Sequence, residues 1–179
     1  MSNSFTWIIL IGMLCVILTL VIGKSMHKDG NTLPKYDERQ KLDRGRGYMI
    51  AFYSMAVLTC LIPVVLPEKT LHFLGDTVFM FPPFIGLMIH IGYCVWKDAY
   101  IELNLNESKW TIFILMIGCL NLLIAYSSYR SGRMVMDGVL QFHVANLIVG
   151  AMAILIVLEI AIRKLVVGKG GDDDEESEA

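Results

Sequence analysis

The stretch KYDERQKLDRGRGYMIAFYSMAVLTCLIPVVL, Lys35–Leu66, changes character halfway along. Eight of its first fourteen residues are charged, and none of the residues from Met49 to Leu66 is. A helix needs about 20 apolar residues to cross the roughly 30 Å hydrocarbon layer of a bilayer. The apolar half meets that need once the flanking Gly47 and Tyr48 are counted. It is continuous, without the alternation of a barrel strand, so it predicts a membrane-spanning helix.

The charged half predicts the start of the same helix. Pro34 disfavours helix at the residue before it. Asp37 then serves as N-cap, with Gln40 three residues later reaching back in a variant of the capping box. The spacing pairs Asp37 with Lys41 and Arg39 with Asp43, each at i,i+4 and each contributing about 0.2–0.5 kcal/mol. Gly45 and Gly47 mark the approach to the membrane, and Gly47 with Ala51 forms a small-xxx-small pair that lets a neighbouring helix come close.

Outward from this stretch the same pattern repeats. Of the 179 residues, 55% are hydrophobic and 18% charged, and the mean hydropathy is +0.59. A soluble domain carries about a quarter of its residues as charges. The apolar runs fall at about 5–23, 47–66, 78–96, 111–129 and 143–162. They predict an all-α integral membrane bundle of five transmembrane helices over residues 1–168.

Loop 24–46, loop 97–110 and the segment after 162 together hold twelve Lys and Arg, against Lys69, Arg130 and Arg133 elsewhere. The richer set is expected in the cytoplasm, which puts the N-terminus outside and the C-terminus inside. The first run lacks a basic region before it and reads as a retained anchor rather than a cleaved signal. The Asn106-Glu107-Ser108 sequon falls on the expected cytoplasmic side and is taken as coincidence. Residues 169–179 end in six acids among eight residues and read as a disordered tail.

Three motifs converge on a resemblance. Asp37-Glu38-Arg39-Gln40 is followed by Arg44-Gly45-x-Gly47 and an aromatic-rich span. WKDAYIELNLN, Trp96–Asn106, follows the third span. DGVLQFHVANLIVG, Asp137–Gly150, opens the fifth. As a set, over most of residues 5–165, they resemble a group of small multispanning membrane proteins of unknown function from Clostridia and related Firmicutes, marked by DERQ-x3-RG. The resemblance implies the fold, the N-out arrangement, a Gram-positive host and a bacterial cytoplasmic membrane. It implies no activity and offers no counterpart for the acidic tail.

Two sets of polar residues stand out. The first, on the expected inner face, is Asp37, Glu38, Arg39, Gln40, Arg44, Asp98 and Asn104. A contact of Arg39 or Arg44 with Asp98 would clasp two loops together, and losing one partner of such a pair when buried costs several kcal/mol. Trp96 and Tyr100 are i,i+4 and suit an aromatic belt, and Asn104 or Asn106 is expected to end the third helix in a left-handed conformation. The second set lies within the spans: His90, Asn121, Asn146 and Glu159. His90 reads as a helix–helix hydrogen-bonder, Asn121 as a central polar residue of the fourth span and Glu159 as an acid paired with Arg163 one turn later. Asn146 is expected to bond across a helix interface beside Gly150. Pro63 is placed to kink the second span, and Asp137-Gly138 predicts a turn.

Enzyme signatures are missing. There is no HExxH run, no Gly-x-Ser nucleophile setting in a span and no phosphate-binding or dinucleotide loop. His72, Asp76, Asp137 and His143 share the expected outer side without any ligand spacing. The four cysteines lie in separate apolar runs and predict neither disulfides nor zinc. No cofactor, metal or nucleic acid is expected. The expected role is non-enzymatic and works through protein contacts, with a membrane-protein partner or further copies of the chain, as a regulatory, accessory or protective component embedded in the lipid bilayer. The alternative is a small-solute transporter or channel component, as an oligomer.

Overall fold

The computed structural model describes residues 21–22, 24–28 and 34–175, with side chains through residue 167. The expected first span, 5–23, lies outside the described residues except for 21 and 22. Among the described residues four helical stretches are long and apolar enough to cross a membrane: Glu38–Val65, Glu68–Trp96, Glu107–Arg130 and Val144–Val167.

Helix α1, Glu38–Val65, starts at the expected cap. The Gln40 N–H donates to Asp37 Oδ1 at 2.6 Å, and the Asp37 N–H donates to Gln40 Oε1 at 3.3 Å. The charged block is therefore the first turns of the spanning helix. Pro63 sits inside α1, and the helix continues past it to Val65. It ends where Leu66 precedes Pro67, in the extended conformation that proline favours at the residue before it.

A short helix α2, Glu68–Leu74, and a 3-10 segment, Gly75–Met80, fill what reads in sequence as a loop. Helix α3, Phe81–Trp96, opens with Pro82-Pro83 in its first turn, where absent N–H groups cost little. Helix α4, Glu107–Arg130, is capped by Asn106, whose Oδ1 accepts from the Lys109 N–H at 3.1 Å. A two-residue hairpin follows. Strand β1, Val135–Met136, pairs antiparallel with β2, Val139–Leu140. Asp137 and Gly138 turn it at φ 51° and 75°, the left-handed pair that the commonest tight hairpin turn requires. Helix α5, Val144–Glu175, completes the fold. It runs through residues 169–175, into the tail for which disorder is expected. Extending a formed helix adds a hydrogen bond for each residue fixed, so it needs no packed core beneath it.

The helices touch in the order α1–α3–α5–α4. Lipid tails are as apolar as leucine, so close backbone approach rather than apolar burial holds such seams. Glycines provide it. A Cβ on Gly47 would stand 2.9 Å from His90 Nδ1 and 3.2 Å from Cys94 Sγ, and one on Gly118 would stand 2.9 Å from the Ala153 Cβ. Gly47 and Ala51 thus face α3 as a small-xxx-small pair, and Gly118 brings α4 onto α5. Between the two seams, Ile91 and Val95 of α3 pack with Ile156 and Ile160 of α5 and Ile114 of α4. The far side of α1 is left bare, with Val57, Leu61 and Val64 all exposed.

Candidate functional site

The polar residues gather where α1 begins, α3 ends, α4 begins and α5 reaches Arg163. The connection between α3 and α4 shapes this collar. α3 stops in a Schellman turn: the Ala99 N–H donates to the Cys94 carbonyl at 2.8 Å and the Asp98 N–H to Val95 at 3.2 Å. Asp98 takes the left-handed position at φ 56°. This corrects the expectation that Asn104 or Asn106 ends the helix, since Asn106 instead starts the next one. It also takes Tyr100 off the helix that carries Trp96. Tyr100 packs against the core cluster while Trp96 stays exposed.

Irregular backbone near a membrane needs partners for its N–H and C=O groups. α1 supplies them through side chains. Arg39 donates to the Lys97 carbonyl at 2.9 Å, and the buried Gln40 Nε2 donates to Asp98 at 2.9 Å and Ile101 at 3.4 Å. Arg44 Nη1 donates to Ala99 at 3.2 Å and Tyr100 at 3.5 Å. The chain before α1 supplies three more. Lys28 N–H donates to the Asn104 carbonyl, Leu103 N–H to Lys35 and Asn106 N–H to Met26, all within 2.9 Å.

Charges fill the remaining gaps. Asp98 meets Arg163 at 2.9 Å and Arg39 at 3.9 Å, so the expected Arg39–Asp98 contact is present but is the longer of the two. Arg163 is therefore turned toward Asp98 rather than pairing with Glu159. Lys164 reaches Glu107 at 3.0 Å. Asp43 is buried and bracketed by Arg39 at 4.0 Å and Arg46 at 3.9 Å. Lys41 pairs with Glu38 at 2.9 Å rather than with Asp37, whose carboxylate is committed to the cap. Glu38 thus lies outside the clasp. Glu102 is the member that sequence reasoning missed: it accepts from the Tyr36 hydroxyl at 3.3 Å, and His27 Nε2 lies 3.3 Å from its other oxygen. Its contacts are long-range, with no local spacing to signal them. Burial pushes the Tyr36 hydroxyl up to about 12 and raises Tyr100 as well.

The intramembrane set stays dispersed. His90 stacks on Tyr48, with ring centroids 3.9 Å apart, in the α1–α3 seam, and Cys94 Sγ lies 3.8 Å from its ring nitrogens. Asn121 donates to the Ile117 carbonyl of its own helix at 2.9 Å, not to a neighbouring helix. Asn146 makes no hydrogen bond among the described residues, so the expected bond beside Gly150 is not formed. Leu122 covers Gly150 instead. Glu159 lies against α3, with its oxygens 3.3 and 3.4 Å from where a Cβ on Gly92 would stand, and its Oε2 has no hydrogen-bond partner among the described residues. No group of three or more His, Cys, Asp or Glu side chains among the described residues is placed to hold a metal ion.

The architecture is thus that of a helical protein with several membrane-length helices, gathered at one end by a polar collar. Protein-family models, curated proteins and solved structures all give no match to the chain.

Proposed function

We propose that this chain is a multi-pass protein of a bacterial cytoplasmic membrane that works through protein contacts made at its collar, as a regulatory, accessory or protective component without an enzymatic reaction. Five spans, with residues 5–23 as the first, put the N-terminus outside and the collar in the cytoplasm. Twelve of the fifteen Lys and Arg then lie inside, in accord with the positive-inside rule. The DERQ-x3-RG resemblance supports the same host and topology.

One observation carries the contact reading. The strongest donors of the collar, Arg39, Gln40 and Arg44, are directed at carbonyls of the connection 97–101. The collar is internally bonded, and the charges it leaves outward, Lys41, Arg46 and Lys97, sit on a firm base. Photo-crosslinkers placed at 41 and 97 in native membranes should trap one specific partner or a second copy. A spread of unrelated neighbours would sink the reading.

Glu159 favours a second reading, a small-solute transporter or channel component working as an oligomer. A carboxylate without a hydrogen-bond partner inside an apolar span marks ion pathways in other membrane proteins. In that case Glu159→Gln, His90→Ala or Asn121→Ala abolishes solute flux in vesicles holding the full chain. Unchanged flux in all three removes it.

A further inference from the structure

Arg44 is a half-buried guanidinium with no carboxylate within 4.0 Å among the described residues. The two nearby acids are committed elsewhere: Asp43 lies between Arg39 and Arg46, and Glu102 accepts from Tyr36 and faces His27. One face of Arg44 covers the Tyr36 ring at 4.3 Å. Its Nη1 serves the Ala99 and Tyr100 carbonyls, while Nη2 has only a 3.5 Å approach to the Tyr48 hydroxyl. Nη2 retains donor capacity, and among the described residues no carboxylate answers the charge.

Tyr48 links this cation to a groove. A cavity of about 450 Å³ runs between α1 and α3, lined by Tyr48, Phe52 and Met55 on one side and Pro83, Gly86 and Leu87 on the other. His90, stacked on Tyr48, forms its polar end. Phe52 and Leu87 are exposed, so the groove opens sideways from the helix pair. From Arg44 to Met55 the helix rises about 16 Å at 1.5 Å per residue. Half of a hydrocarbon layer is about 15 Å thick. A cation at the surface and an apolar channel one leaflet deep match the two parts of a lipid.

We propose that the Arg44 guanidinium and the α1–α3 groove form a binding site for a single phospholipid, with its phosphate on Nη2 and one acyl chain lying along Phe52, Met55 and Leu87. The phosphate supplies a counter-charge, and a hydrogen bond from a cationic donor to a phosphate is of the strong, charge-assisted kind. The chain covers apolar surface that the four described helices leave open. The site requires α1 and α3 to cross a bilayer and is independent of any partner at the collar.

The test uses the full chain in phosphatidylcholine–phosphatidylglycerol liposomes doped with a phospholipid carrying a photoactivatable diazirine midway along one acyl chain. Label should concentrate on Phe52, Met55 and Leu87. Arg44→Gln should reduce that label about tenfold or more, as expected for losing a charged hydrogen bond, and Arg44→Lys should keep most of it. Leu87→Trp, which fills the groove and touches nothing in the collar, should reduce it as strongly, so a folding defect in the Arg44 variant cannot decide the outcome. Unlabelled phospholipid should compete and inorganic phosphate should not. The proposal is overturned if label spreads evenly over Leu115, Leu123 and Leu155 or survives both variants. It is also overturned if inorganic phosphate displaces the label, or if crosslinks show residues 5–23 or a second copy lying in the groove.

Discussion

The two ends of the bundle are held by different means. At the collar, side chains of α1 reach carbonyls 55 to 61 residues further along the chain, and Arg163 of α5 returns to Asp98. At the hairpin end the turn itself is local, with Asp137 and Gly138 folding β1 onto β2, and what meets it is backbone rather than a side-chain donor: Gly75, at φ 50°, leaves room for the Val139 side chain. One end depends on distant partners and the other on backbone conformations that a few residue types permit. The consequences of mutation should divide in the same way.

The largest effect should come from Gln40→Ala. It removes one arm of the capping box and leaves the Asp98 and Ile101 carbonyls without their donor, and should cost about 3 kcal/mol of stability in unfolding from detergent micelles. A loss no greater than that of an exposed substitution would show that the collar is not what joins α1 to the connection. At the opposite end, Gly138→Ala forces a Cβ into the left-handed region and should cost about 1 kcal/mol by the same measurement. No long-range contact is at stake there.

Alkaline titration sharpens the contrast. Burial first, with a smaller contribution from Glu102, raises Tyr36 from its usual value near 10 to about 12, because the fold favours the neutral hydroxyl. That stabilisation is complete below pH 10 and is lost as pH climbs through about 12. Tyr36→Phe, read by tyrosinate absorbance, should delete a late-titrating component. If every tyrosine ionises near pH 10, the collar is more open to water than described. The smallest effect should be that of Asp98→Gly. Losing the partly exposed ion pairs costs about 0–1 kcal/mol, and glycine relieves the left-handed position by a similar amount. The net change should lie within about 0.5 kcal/mol, whereas Asp98→Val should be clearly destabilising.

The same division explains what could be read from the sequence. The capping box at Asp37 and Gln40 and the Asp137-Gly138 turn are decided within four residues, and both appear as expected. The four described spans were legible because length and hydropathy set them without regard to neighbours. Arg163 was not: spacing alone placed it with Glu159, but the left-handed turn at Asp98 brings a more accessible carboxylate within 2.9 Å. Gln40 was legible as a cap but not as a donor to the Asp98 and Ile101 carbonyls, since nothing local reveals which loop will lie beside it.

Glu159 bears on how the protein is made. A carboxylate within a span raises the cost of entering lipid by up to about 3 kcal/mol. The rest of α5 offsets this with the highest mean hydropathy of the four stretches, 2.4. Ribosomes deliver α3 before α5, so Gly92 is synthesised ahead of the acid that it faces in the finished fold. Closing the niche at that glycine with Gly92→Leu should lower the fraction of nascent chains in which α5 integrates, measured by glycosylation mapping. An unchanged fraction would mean that the last segment enters the bilayer unaided.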